Sequence, residues 1–193
     1  MRGDCQKSSG LVKKTYGYRE RNEVQRALFI AELGNAKAGN IVYADEAGMD
    51  HRDDYGYGWS PRGIRLDGMK FGVRKGRINR IAGYRGEKLI SPFLIEGSCN
   101  RSVFETWLVT CLIPELKPGD ILVIDHASFH HGGEIEALIE AAGCKVMYLP
   151  AYSPDLNRIE KCWGWIKNRV RKLLRDSYDL KEAIDMVLKE AVS

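Results

Sequence analysis

Long apolar runs are missing from this chain. The strongest, Ile121 to Ile124, is four residues long, far short of the roughly 20 that span a bilayer. The opening Met1-Arg2-Gly3-Asp4 lacks the apolar core of a secretory leader, so the expectation is a cytoplasmic protein with no membrane partner. Closely spaced cysteines are missing too. The five cysteines, at 5, 99, 111, 144 and 162, are odd in number and contain no C-x-x-C, which argues against a disulfide framework or a cysteine zinc module. His126, His130 and His131 cluster, but no H-E-x-x-H or cysteine partner accompanies them, so zinc is poorly supported. Internal repeats and low-complexity tracts are absent as well. What remains is an ordinary globular balance, 44% apolar and 29% charged over 193 residues, enough for one domain with a real core.

The net charge of +4 conceals a segregation. Met1 to Arg26 carries seven basic residues against three acidic ones, and Asn157 to Arg175 carries seven against Glu160 alone. The rest of the chain is therefore net acidic. Basic ends around an acidic middle suit contact with a polyanion, although a solvated helix face would read the same way.

Periodicity predicts the element order. Glu20 to Leu33 has apolar residues at helical spacing, with Gly34 as a stop, and Asn40 to Asp45 reads as a strand. Arg77–Tyr84 and Lys88–Ile95 read as a hairpin around Arg85-Gly86. Ser102-x-x-Glu105 predicts a capping box opening a helix that Pro114 and Pro118 end. Ile121 to Ile124 suits a strand buried on both faces, Glu134 to Ala142 a short helix, and Lys145 to Leu149 another strand. Asn157 is expected to cap a long helix to Arg175, and Asp179 a final amphipathic one. Strands separated by helices, plus one hairpin, predict a mixed α/β sheet flanked by helices.

Asp45 and Asp125 are placed at the C-terminal ends of two predicted strands, where open α/β sheets form their crevice. If those strands are neighbours, the two carboxylates can share a cation. Glu160, in the first turn of the long helix, is the third candidate, and Gly164 one turn on leaves room beside it. Three oxygen donors suit Mg²⁺ or Mn²⁺, and two such ions can activate a water and stabilise a leaving 3′ oxygen. Taken singly, each acid also has a structural reading, as a turn former or a complement to the helix dipole.

The segments Ile124-Asp-His-Ala-Ser-Phe-His130 and Tyr148-Leu-Pro-Ala-Tyr-Ser-Pro-Asp-Leu-Asn-Arg-Ile-Glu160 resemble the catalytic domain of mariner-type transposases. The closest branch is that of DDE endonucleases of bacterial insertion sequences, with which the 34 residues between Asp125 and Glu160 agree. Val42 to Gly48 and Tyr57 to Gly63 resemble the family's first-aspartate block and the loop after it. The resemblance runs from about Lys13 to Arg175. It implies a ribonuclease-H-like fold, with Asp45, Asp125 and Glu160 as a catalytic triad holding Mg²⁺ or Mn²⁺, as two ions. It further implies cleavage of double-stranded DNA at transposon ends and joining of the 3′ ends to a target, by a homodimer near the nucleoid. His130, Lys167, Arg171 and Lys172 are the candidate DNA contacts. His126 and Arg158 depart from the family's usual Asn and Pro.

The expected organisation is a basic arm and linker helix over 1–39, a catalytic domain over 40–176 and a C-terminal helix over 177–193. About 39 residues before the first strand are too few for the helix-turn-helix domains of full transposases. The resemblance therefore implies a catalytic half, paired with a separately encoded reader, or a truncated, inactive DNA-binding or oligomerising remnant.

Overall fold

The computed structural model describes residues 18–50, 64, 76–127, 134–176 and 178–192. The basic arm before Tyr18, the Tyr57–Gly63 block, and His130 and His131 lie outside the described residues.

A helix, α1 (Glu23–Gly34), leads to strand β1 (Ile41–Met49). The hairpin strands are β2 (Ile78–Arg85) and β3 (Lys88–Glu96), and both residues of their turn, Gly86 and Glu87, have positive φ. This is the backbone twist that two-residue hairpins favour. Helix α2 (Arg101–Trp107) continues through a π-helical turn, Leu108–Leu112, into a 3₁₀ turn that contains Pro114. Then come β4 (Ile121–Ile124), α3 (Glu134–Ala141), β5 (Lys145–Tyr148), α4 (Ile159–Arg175) and α5 (Leu180–Val192).

The five strands form one sheet in the order β3-β2-β1-β4-β5. β1 runs parallel to β4, and β4 to β5, while β1, β2 and β3 are antiparallel neighbours. The mixed α/β sheet expected from the sequence is therefore present. Two apolar layers cover its faces. Tyr43, Ala47, Met49 and Val123 meet Phe29 of α1, Ile159, Trp163 and Ile166 of α4, and Ile184 of α5. Val42, Ala44, Leu122 and Ile124 meet Phe104 and Trp107 of α2, Leu112, and Ile139 of α3.

Several local expectations are corrected. β1 runs four residues beyond Asp45, so this aspartate lies within the strand rather than at its end. Antiparallel pairing with β2 continues to Met49, whereas parallel pairing with β4 stops at Tyr43. The cap of α2 is Asn100, whose Oδ1 accepts from Val103 N at 3.0 Å; Ser102 is already inside the helix. Asn157 does not cap α4 with its side chain. It closes the 3₁₀ turn Pro154–Leu156, and Arg158 holds the N-cap position with no side-chain bond. Asp179 does cap α5, accepting from Lys181 N at 3.0 Å. In α1 the buried side chains are Phe29 and Arg26, while Val24 and Leu28 face outward.

Candidate active site

The register of the parallel strands builds the site. Ile41, Val42 and Tyr43 lie beside Ile121, Leu122 and Val123, an offset of 80 that, carried two residues past the last pair, sets Asp45 level with Asp125. Side chains alternate along a strand, so Asp45 shares the face of Tyr43 and Ala47, which is the face α4 covers. The first turn of α4 brings Glu160 to that face.

A cleft of about 440 Å³ opens there, lined among others by Asp45, Asp125, His126, Tyr152, Asn157 and Glu160. A second cleft of about 570 Å³ also borders Asp45 and Asp125 and continues past Glu46, Arg77, Asn79 and Cys99. The two aspartates thus stand on the divide of a trough running across the sheet edge.

Asp45 is 9% exposed, and Asp125 is half-buried. The Asp45 carboxyl is pushed up to about 8, chiefly by burial and then by repulsion from Glu160, Glu46 and Asp125; the Glu46 N–H, 2.8 Å from Oδ1, opposes the rise. Asp125 Oδ1 accepts from Ala127 N at 2.9 Å, which fixes one oxygen where the chain leaves β4. His126 stacks on Tyr148 with ring centroids 5.1 Å apart, and the Tyr148 hydroxyl donates to Glu136 at 2.7 Å.

Oxygen-only donors that repel one another fit a hard divalent cation, because such an ion offsets both the burial and the repulsion that raise Asp45. Among the described residues, no three His, Cys, Asp or Glu side chains are gathered closely enough to hold a metal ion.

The rest of α4 runs away from this cleft. On an ideal helix Lys167 and Arg171 fall within about 20° of Glu160, whereas Lys172 is turned about 120° away. Gly164, between them, has no atom within 4 Å of an added Cβ, so that face is open to a large ligand. Trp163 is buried under the Arg80 guanidinium, 5.1 Å from its ring centroid, while Trp165 is 41% exposed with Arg169 over it. Sequence reasoning missed Asn157 as a buried lining residue and Tyr152 as a left-handed residue, φ 56°, on the cleft wall. Pro150 and Pro154 mark this loop in the sequence, but not which side chains it presents.

A five-stranded mixed sheet in this order, flanked by helices and with acids at the junction of its parallel and antiparallel halves, defines an α/β protein of ribonuclease-H-like fold. The chain belongs to the DDE superfamily endonucleases, whose family model matches residues 40–183. Among solved structures it is similar to the Mos1 strand transfer complex, at 16% identity and a TM-score of 0.62, covering 94% of this chain and 64% of that one. It is also similar to the Mos1 mariner paired end complex with Mn, at 16% identity and 0.63, covering 98% and 65%. The catalytic domain of Mos1 mariner transposase matches at 16% identity and 0.54, covering 92% and 98%. The chain thus spans just under two thirds of the longer Mos1 chain in the strand transfer complex and nearly all of the catalytic domain. A search of the curated proteins finds no match. No helix among the described residues is long and apolar enough to cross a membrane.

Proposed function

We propose that this chain is the catalytic part of an insertion-sequence transposase, which cuts double-stranded DNA at element ends and joins the freed 3′ hydroxyls to a target. The register that sets Asp45 level with Asp125, with Glu160 on the helix above, carries this reading. In it, the three carboxylates hold Mg²⁺ or Mn²⁺, as two ions. Bound there, the metal would supply an activated water and charge stabilisation at the phosphorus. The chain's own residues do the rest. Asp45 arrives desolvated and so gains most from a cation, and the Ala127 N–H orients one Asp125 oxygen. Lys167 and Arg171, on the open face of α4, track backbone phosphates without reading sequence.

The solved relatives named as strand transfer and paired-end complexes, one of them with a left transposon end, support DNA as the partner, and a homodimer as the working form is part of the same proposal. The division into an arm and linker helix (1–39), a catalytic domain (40–176) and a C-terminal helix (177–193) belongs to the same proposal. So does a separately encoded helix-turn-helix reader in a bacterial cytoplasm.

A second reading is a DNA-binding or oligomerising remnant with no activity, favoured by the ungathered acids. Metal-dependent nicking of duplex DNA by the wild type, lost in Asp125→Asn, tests the first. Salt-sensitive DNA binding with no nicking under any divalent ion selects the second.

A further inference from the structure

The wall of the candidate cleft is gripped by a helix that contributes nothing to the cleft itself. Arg26 of α1 is 5% exposed, and its guanidinium meets the Asp155 carboxylate with both prongs, Nη1 to Oδ1 at 3.0 Å and Nη2 to Oδ2 at 2.7 Å. Arg21 reaches the same carboxylate at 3.8 Å, and Glu23 joins both arginines at 2.9 and 3.5 Å. The Tyr18 ring packs on Tyr152, centroids 5.6 Å apart. Tyr152 and Asp155 belong to the loop that links β5 to α4 and lines the cleft through Tyr152, Ser153, Pro154 and Asn157.

Two features show that this loop needs an outside constraint. Tyr152 is a non-glycine residue at positive φ and is half exposed, so burial does not compensate its backbone. Such a conformation persists only where its surroundings over-determine it. The loop also ends directly on the helix start: Asn157 O accepts from Glu160 N at 3.2 Å, two residues after the gripped Asp155. A planar two-pronged pair fixes orientation as well as distance.

We infer that Arg26 and Asp155 are a positioning pair through which α1 sets the cleft wall, and with it Glu160, relative to Asp45 and Asp125. The inference rests on the reading of those three carboxylates as metal ligands. Removing the pair loosens residues 151–160 and weakens metal binding without touching any ligand.

The experiment uses the full chain and two readouts. Amide hydrogen exchange follows residues 151–160, with β4 and α5 as internal references, and water-proton relaxation measures Mn²⁺ binding. Arg26→Ala should speed exchange in 151–160 about tenfold over the references and weaken Mn²⁺ binding about ten- to hundredfold, as loss of a group that orients a ligand does. Asp155→Asn, at a side chain half exposed and so safe for folding, should do the same to a smaller extent. The exchanged pair, Arg26→Asp with Asp155→Arg, should bring both readouts most of the way back. Unchanged Mn²⁺ affinity in Arg26→Ala despite faster loop exchange would overturn the inference, as would exchange that does not change. Failure of the metal reading is distinct: the wild type would then bind no Mn²⁺, while the exchange data would still report on the grip of α1.

Discussion

Replacing Asp45 with Asn should stabilise the metal-free protein at neutral pH. Asp45 is 9% exposed, and its carboxyl is pushed from 3.8 up to about 8, first by burial and then by Glu160, Glu46 and Asp125. Between those two values the native state holds a proton that the unfolded chain has released. The native state binds more protons, so stability falls as pH rises through the window, by ~1.4 kcal/mol per unit. At pH 7, three units above the unfolded value, the penalty is about 4 kcal/mol. Asparagine has nearly the same shape, can accept the Glu46 N–H bond and cannot ionise. Asp45→Asn should therefore exceed the wild type by up to about 4 kcal/mol at pH 7, and match it near pH 4. Saturating Mn²⁺ narrows the gap, since ligand at a hundred times its Kd contributes ~2.7 kcal/mol to the wild type and little to the variant. Urea melts from pH 4 to 8, with EDTA and with Mn²⁺, measure all of this. A variant less stable than wild type at pH 7 in EDTA, or a difference that does not change with pH, refutes the account of the site.

Other outcomes follow from packing and charge. A Cβ at Gly83 would lie 2.8 Å from both Ile90 Cγ1 and Leu112 Cδ1, where β2 and β3 slip register, so Gly83→Ala should cost about 1–3 kcal/mol in urea melts. Lys167→Ala and Arg171→Ala should each lower the salt slope of DNA binding by about one, whereas Lys172→Ala, turned away on α4, should change it less.

The sheet was legible because its signals are local and strong. Ile121 to Ile124 is apolar on both faces, and Gly86 falls at a turn that demands positive φ. Strand neighbours were legible only through the resemblance, since a one-residue slip of β1 against β4 would separate Asp45 from Asp125 without altering any composition. The end of β1 was misplaced because Glu46 and Gly48 look like breakers. Tertiary pairing with β2 overrides them, and Gly48 is needed where Asn79 and Arg77 press against the strand. Asn157 reads as a cap in sequence, yet the 3₁₀ turn before α4 shifts the cap position by one residue, to Arg158, and Asn157 is buried. The apolar residues of α1, Val24, Ala27, Leu28, Ala31 and Leu33, have helical spacing but do not single out its buried face. The pairing of Arg26 with Asp155, 129 residues away, selects that face, and no local pattern records it.

The central claim is that Asp45, Asp125 and Glu160 act as one metal-dependent centre on DNA. Nicking of a duplex carrying the element's own terminal repeat, with Mn²⁺ or Mg²⁺ added, tests it most directly. The account predicts nicks from the wild type only with the divalent ion, and none from Asp125→Asn or Glu160→Gln, both folded by circular dichroism. Nicking that persists in Asp125→Asn, or that proceeds unchanged in EDTA, would contradict it.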